Sequence, residues 1–186
     1  MFMKTDRLII RDLETADGII FLNMAADGGL KEIFMDTECD GWMDEWIAEA
    51  RQLAGQDDPT ADYLAYAVEL KETHEVIGSV GCSYYQDLEK VGIVYFVGTE
   101  YRNHGYATEA IKAYTRYFLQ HYPQDEMIAT IREDNAPSWR AVEKAGFGLT
   151  GQKRYQDIGD ETERNYRFYS CRKECLIPEK GEENGL

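Results

Sequence analysis

Val91-Gly92-Ile93-Val94-Tyr95-Phe96-Val97 leads towards Arg102-Asn103-His104-Gly105-Tyr106-Ala107, and these two segments set the architecture of the chain. In an extended segment, Val91, Ile93, Tyr95 and Val97 share one face and Val94 and Phe96 the other. Both faces are apolar, which predicts a central strand covered on both sides. Ala107, Ala110, Ile111, Tyr114 and Phe118 then recur at helical spacing and define one buried helix face. A buried strand therefore runs into a short glycine-bearing loop and a helix N-terminus. The first helical turn offers unpaired amides and the positive end of the dipole. That arrangement suits a phosphate, and Gly105 lets the backbone approach it. One glycine at a helix start is common in α/β proteins. Neither G-x-G-x-x-G nor G-x-x-x-x-G-K-[ST] is present.

The 186 residues, 44% of them hydrophobic, suit one compact domain with a sizeable core. The net charge of -15 disfavours nucleic acid as a direct ligand, since phosphates are repelled. It favours a cationic substrate or partner, or serves only to keep the surface solvated. Cys39, Cys82, Cys171 and Cys175 form no C-x-x-C pair, and His74, His104 and His121 are scattered, so reduced thiols and no metal are expected. The N-terminal residues lack the apolar core of a signal peptide, and no run is long enough to span a membrane; the expected location is cytoplasmic.

Taken in order, residues 5–11 read as a first strand with Leu8 and Ile10 on one face. A helix starts within residues 14–17, with Ile19, Ile20, Leu22 and Met24 among its apolar positions, and Asp27-Gly28-Gly29 breaks it. Trp42, Trp46, Ile47, Ala50 and Leu53 line one face of a helix starting near Asp40, read as packed core in preference to a binding stripe. Residues 63–70 and 76–83 form a hairpin around a polar turn. After the long helix comes a short strand at 127–131. Asn135 is a good N-cap, Pro137 fits a first turn, and Gly146 fits the left-handed position past the helix end. Residues 149–158 and 164–171 read as two closing strands. The order of elements predicts a single mixed α/β domain over residues 1–176, with a polar, mobile tail over 177–186.

Arg102-x-x-Gly105-x-Ala107 resembles the R/Q-x-x-G-x-G/A motif of the GNAT superfamily of N-acetyltransferases. Tyr106-Ala107-Thr108-Glu109-Ala110 is similar to the branch that acetylates ribosomal proteins. Thr5-x-Arg7-Leu8, followed by Arg11-x-Leu13 and an acidic pair, resembles the opening of the same branch. Asn135-x-x-Ser138, with Glu143-Lys144-x-Gly146-Phe147, resembles its second signature. The likeness spans about Thr5 to Cys171.

The resemblance implies a mixed, mostly antiparallel central sheet flanked by helices, with central strands that splay apart. It implies acetyl-CoA as cosubstrate, its pyrophosphate on the loop amides of Asn103, His104, Gly105, Tyr106, Ala107 and Thr108. The pantetheine arm would bind backbone at Tyr95, Phe96 and Val97, where an N–H could also steady an oxyanion. Arg102 would meet a phosphate or an acidic neighbour, and His104 would contribute its backbone amide. Many members protonate the leaving thiolate with a tyrosine where this chain has Val142. Ser138 takes that role in this branch, or else only satisfies backbone in a first helical turn. Asn135 would hold the pantetheine, cap its helix, or both. The general base is open among Glu100, Asp134, Asp157 and a water chain through Tyr84 or Tyr85. The implied acceptor is a primary amine, either a protein N-terminal α-amine or a small cationic amine, drawn by acids that include Asp36, Glu38, Asp40, Asp44 and Glu45. A homodimer fits the same family. The alternative is a catalytically silent coenzyme-A-binding module.

Overall fold

In the computed structural model, residues 1–31, 35, 41–157 and 160–175 are described. The elements are β1 (Phe2–Lys4), β2 (Leu8–Asp12), α1 (Asp17–Ala25), α2 (Met43–Gln56), β3 (Tyr63–Leu70) and β4 (Val76–Tyr85). They continue as β5 (Lys90–Val97), α3 (Tyr106–His121), β6 (Glu126–Arg132), α4 (Ala136–Lys144), β7 (Gly148–Tyr155) and β8 (Arg164–Arg172). The strands build one sheet in the order β1-β2-β3-β4-β5-β6-β8-β7, antiparallel except where β5 meets β6. A parallel neighbour needs a crossover, and α3 supplies it.

Alternation along the strands sorts side chains into two layers. Leu64, Tyr66 and Val68 of β3, with Val91 and Ile93 of β5, pack with Ile111, Tyr114 and Phe118 of α3 and Val142 of α4. The opposite face carries the small residues Ala65 and Ala67, which leave room for Phe21 of α1 and Met43, Ile47 and Ala50 of α2. Beneath α1 lies a buried charge network. Arg11 reaches both oxygens of Asp17 at 2.9 and 3.0 Å and Oε2 of Glu69 at 2.8 Å. Burial raises the Glu69 carboxyl, but hydrogen bonds from Arg11 and His74 outweigh it and hold Glu69 below the usual carboxylate range.

The hairpin, the central strand and both signature helices fall where expected. The N-terminus differs: β1 precedes the first expected strand and forms the sheet edge, pairing Phe2 with Arg11. Its residues are mostly exposed, Phe2 by 64%, so no alternation announces it. Ile19 is also exposed, and α1 is seated by Phe21, Met24 and Ala25 instead. In α2, Met43, Ile47 and Ala50 form the packed face, whereas Trp42 precedes the helix and is 40% exposed. The expected tail, and Asp36, Glu38, Cys39, Asp40 and Ile158, lie outside the described residues. Among those described, no helix is long and apolar enough to cross a membrane.

Candidate active site

The parallel strands β5 and β6 pair at one register point, Gly92 with Ile128, and beyond it form no further ladder. Gly92 is required there, because a Cβ would lie 2.6 Å from the Tyr85 ring. Where the strands part, a cavity of about 490 Å³ opens. Its lining includes Ile93 and Tyr95, which face α3 and α4, and also Val94 and Phe96, which face the other way. Ala129 and Ile131 alternate with Thr130 and Arg132 on β6 in the same manner. The cavity is therefore a passage through the sheet, with a different set of side chains at each mouth.

The mouth beside α4 carries Tyr95, Asn135 and Ser138. Asn135 caps α4, its Oδ1 accepting from the Ser138 amide at 3.2 Å. Ser138 Oγ lies 2.6 Å from the Tyr95 hydroxyl, which also donates to the Ser138 carbonyl at 3.1 Å. Burial pushes the Tyr95 phenol up to about 12, with Ser138 partly offsetting it, so Tyr95 keeps its proton at neutral pH. Val142 is fully buried in the core and is not among the residues that line the passage. Tyr95 was expected here for its backbone alone. Its side chain forms a two-hydroxyl pair with Ser138.

The opposite mouth is aromatic and acidic. Trp46 and Tyr63 stack with ring planes 7° apart and centroids at 6.4 Å, and Trp42 lies at the same mouth. Both tryptophans thus line the passage, and Trp46 also packs edge-on against Phe21 of the core, as its helical spacing implied. Deeper in, Thr130 Oγ1 lies 2.6 Å from Asp157 Oδ2 and 3.1 Å from the Tyr85 hydroxyl, and its single proton serves one of them at a time. Burial, then the Asp157 charge, pushes the Tyr85 phenol well above its ordinary range. Tyr166 donates to Asp160 at 2.7 Å beside this group. Of the carboxylates considered as base, only Asp157 lines the passage. Glu100 is exposed on a short turn, and Asp134 is 71% exposed and paired with Arg132 at 3.2 Å. Tyr84 lies on the face opposite Tyr85 and opens onto a separate depression.

The glycine loop turns through two left-handed residues. Asn103 has φ +65°, and Gly105, the N-cap of α3, has φ +82°. A Cβ at Gly105 would meet only Arg7 Nη2, at 3.5 Å. Arg7 reaches the His104 carbonyl at 2.9 Å, and its guanidinium covers the Tyr106 ring at 4.7 Å. Glu109, one turn into α3, accepts from Arg7 Nε at 2.7 Å, the Arg7 amide at 2.9 Å and the Thr5 hydroxyl at 2.6 Å. Burial raises the Glu109 carboxyl, but these bonds outweigh it and keep it below the usual range. The segments Thr5-x-Arg7 and Gly105-to-Ala110, a hundred residues apart, are thus two halves of one ion pair that fixes the loop on the sheet. Arg102 points elsewhere: its Nη2 donates to the Gly29 carbonyl at 2.6 Å and its Nε to Val97 at 3.4 Å. It braces the loop after α1. His104 is exposed and stacks on Tyr106, and Ala107 and Thr108 are half-buried in the first turn of α3.

Cys82 and Cys171 are buried cysteines that do not line the passage. Burial pushes Cys82 up to about 12, despite the hydrogen bond from Tyr114, so it is no nucleophile at neutral pH.

Comparison with known proteins bears on the family and the fold. The family model of the GNAT acetyltransferase domain matches residues 7–148. YnaD of Bacillus subtilis (strain 168), an uncharacterised N-acetyltransferase, is 26% identical over 151 residues, covering 81% of this chain and 85% of that protein. A GNAT-family acetyltransferase from Bacillus anthracis superposes with a TM-score of 0.76 at 23% identity, over 94% of this chain and 99% of the other. RimL, a ribosomal L7/L12 α-N-protein acetyltransferase solved with coenzyme A, gives a TM-score of 0.75 at 10% identity, over 92% and 98%. The two solved structures show a likeness of fold.

Proposed function

The chain belongs to the GNAT acetyltransferase-domain family, and from that premise we propose that it moves the acetyl group of acetyl-CoA to a primary amine by direct attack. The observation that carries the proposal is the passage where β5 and β6 part, lined from both faces of the sheet, which supports a donor entering on one face and an acceptor on the other. The amides at the start of α3 would take the pyrophosphate, and the unladdered edge of β5 would take the pantetheine as an added strand. The amine nitrogen attacks the thioester carbonyl, and the tetrahedral intermediate collapses with loss of the thiolate. A β5 amide near Tyr95 to Val97 steadies the oxyanion.

Two groups on opposite faces suit the two proton transfers. An amine arrives as an ammonium and must lose a proton before it has a lone pair to donate. Asp157, with Thr130 and Tyr85, is the group to receive it. On the other face the Ser138 hydroxyl donates to the departing sulfur and is resupplied as the Tyr95 proton turns from the Ser138 carbonyl to its Oγ. A thiol with an ordinary pKa of about 8.5 is already a fair leaving group, so this assistance is moderate.

The acceptor is a protein N-terminal α-amine or a small cationic amine. The resemblance in fold to RimL favours the former and the charge of the second mouth the latter. The test is a panel of amines and N-terminal peptides incubated with acetyl-CoA, reading thiol release. Coenzyme A binding without single-turnover transfer to any amine would leave a silent binding module.

A further inference from the structure

We infer that the acceptor is a small diamine, an amine that keeps a second positive charge after its reacting nitrogen has been deprotonated. This inference rests on the transfer reading above and names the substrate class of the same site. The acceptor mouth presents the faces and edges of Trp42, Trp46, Tyr63 and Tyr166 together with the carboxylates of Asp62 and Asp157; Asp160 is engaged there by Arg164 at 3.7 Å and by Tyr166 at 2.7 Å. Tyr63 donates to Glu49 at 2.7 Å, which fixes the ring against Trp46 and adds a further negative charge behind the wall. Among the described lining residues the one guanidinium is that of Arg132, which is paired with Asp134.

Such a surface discriminates by charge. An organic cation gains from ring faces about 0.5–1 kcal/mol when exposed and about 2 when desolvated, in addition to its attraction to the carboxylates. A neutral chain gains only apolar burial, and an acid is repelled. The nitrogen that attacks must be neutral, so the charge that the wall holds through the reaction belongs to another nitrogen. The first amine deprotonates towards Asp157 and Thr130 while the second stays protonated against Trp46, Tyr63 and Asp62. Size limits the remainder. A cavity of about 490 Å³ is that of a small-molecule site and must also admit the acylated thiol. A short diamine fits that space, whereas a peptide terminus brings bulk that has to stay outside.

The experiment is a matched series, with kcat/KM measured at saturating acetyl-CoA for 1,4-diaminobutane, butylamine, 4-aminobutanoate and a tetrapeptide with arginine at its second position. The diamine is expected to exceed butylamine at least tenfold, with 4-aminobutanoate slowest. In Asp62→Asn, at an exposed position tolerant of change, and in Trp46→Leu, the diamine-to-butylamine ratio falls several-fold towards one. In the wild type that ratio shrinks with added salt, because the Debye length is already about 10 Å at 0.1 M. Equal rates for diamine and butylamine, a ratio unmoved in both variants, or a peptide faster than the diamine each overturn the inference while leaving acetyl transfer standing. No turnover of any amine overturns both.

Discussion

Replacing Gly105 by valine separates the conformational role of this residue from its role towards a ligand. At φ +82° an L side chain sits in the left-handed region, which costs roughly 1–2 kcal/mol. Branching at Cβ adds to this, but protein atoms do not: the nearest to a new Cβ is Arg7 Nη2 at 3.5 Å, an ordinary contact. The fold should therefore survive with about 2 kcal/mol less stability, within the 5–15 kcal/mol typical of a domain. If the pyrophosphate sits against this loop, the same side chain occupies its place. Coenzyme A affinity measured by calorimetry should then fall at least tenfold, about 1.4 kcal/mol. Gly146 provides the control. It has φ +104° with nothing within 4 Å of its Cβ position, and it follows α4 at the end away from Asn135. Gly146→Val should lose similar stability and keep its affinity. Unchanged affinity in Gly105→Val, or an equal loss in both variants, would refute the assignment of this loop to the phosphates.

Ser138→Ala and Tyr95→Phe should each lower kcat by roughly tenfold to a hundredfold with little change in coenzyme A binding; full activity at saturating substrates would reduce the pair to helix-start packing. Arg7→Ala should cost about 1 kcal/mol of stability, since the arginine is half exposed. It should weaken coenzyme A but spare use of S-acetyl-N-acetylcysteamine, which lacks the nucleotide; equal losses with both donors would make Arg7 merely structural. Arg11→Ala should cost about 3–5 kcal/mol by urea denaturation, because Asp17 and Glu69 stay buried without their partner. In the wild type, Glu69 and Glu109 are held below their unfolded value of about 4.3. Their stabilisation is complete above that value and is lost as pH falls through the lower folded values, so the melting temperature should be flat above about pH 5 and drop below pH 4. A Tm that rises on acidification would reverse the sign assigned to both.

How far the sequence could be read depended on the distance over which each feature is encoded. The buried strand β5, the turn at Gly105 and the N-cap at Asn135 are each written within a few neighbouring residues. Period, cap and left-handed glycine all agree there, and the structure follows them. Trp42 and Trp46 show the limit of local pattern. Their spacing with Ile47 and Ala50 marks a helix face, but a ring that fills a core and a ring that lines a cavity leave the same periodicity. The hydroxyl pair of Tyr95 and Ser138 is 43 residues apart in sequence, and Thr130 lies 45 residues from Tyr85 and 27 from Asp157. These contacts exist only once β5 has parted from β6 and β8 has paired antiparallel with β6. Alternation did predict that Tyr95 faces away from Phe96, and that parity was the available clue that its side chain points to the α4 mouth.

The division of labour between the two faces follows from that parity. A strand at the edge of a splay exposes both of its faces to one passage, so adjacent residues serve opposite partners. Tyr95 meets Ser138 on the donor side, while Phe96 packs against Phe21 on the acceptor side, with ring centroids 5.1 Å apart. The donor side is tied to fixed parts: the α3 and α4 N-termini and the Arg7–Glu109 pair. The proposed acceptor side is lined by Trp42 and by Trp46 of α2, on the face of β5 opposite Tyr95. Substitutions at Trp42, Trp46 or Asp62 can therefore change which amine enters without moving the loop at Gly105 or the hydroxyl at Ser138. On the proposed reading, acceptor choice therefore falls to residues beside α2, such as Trp46 and Asp62. In the proposed reaction the hydroxyls at the α4 mouth are those of Ser138 and Tyr95, while Val142 stays in the core.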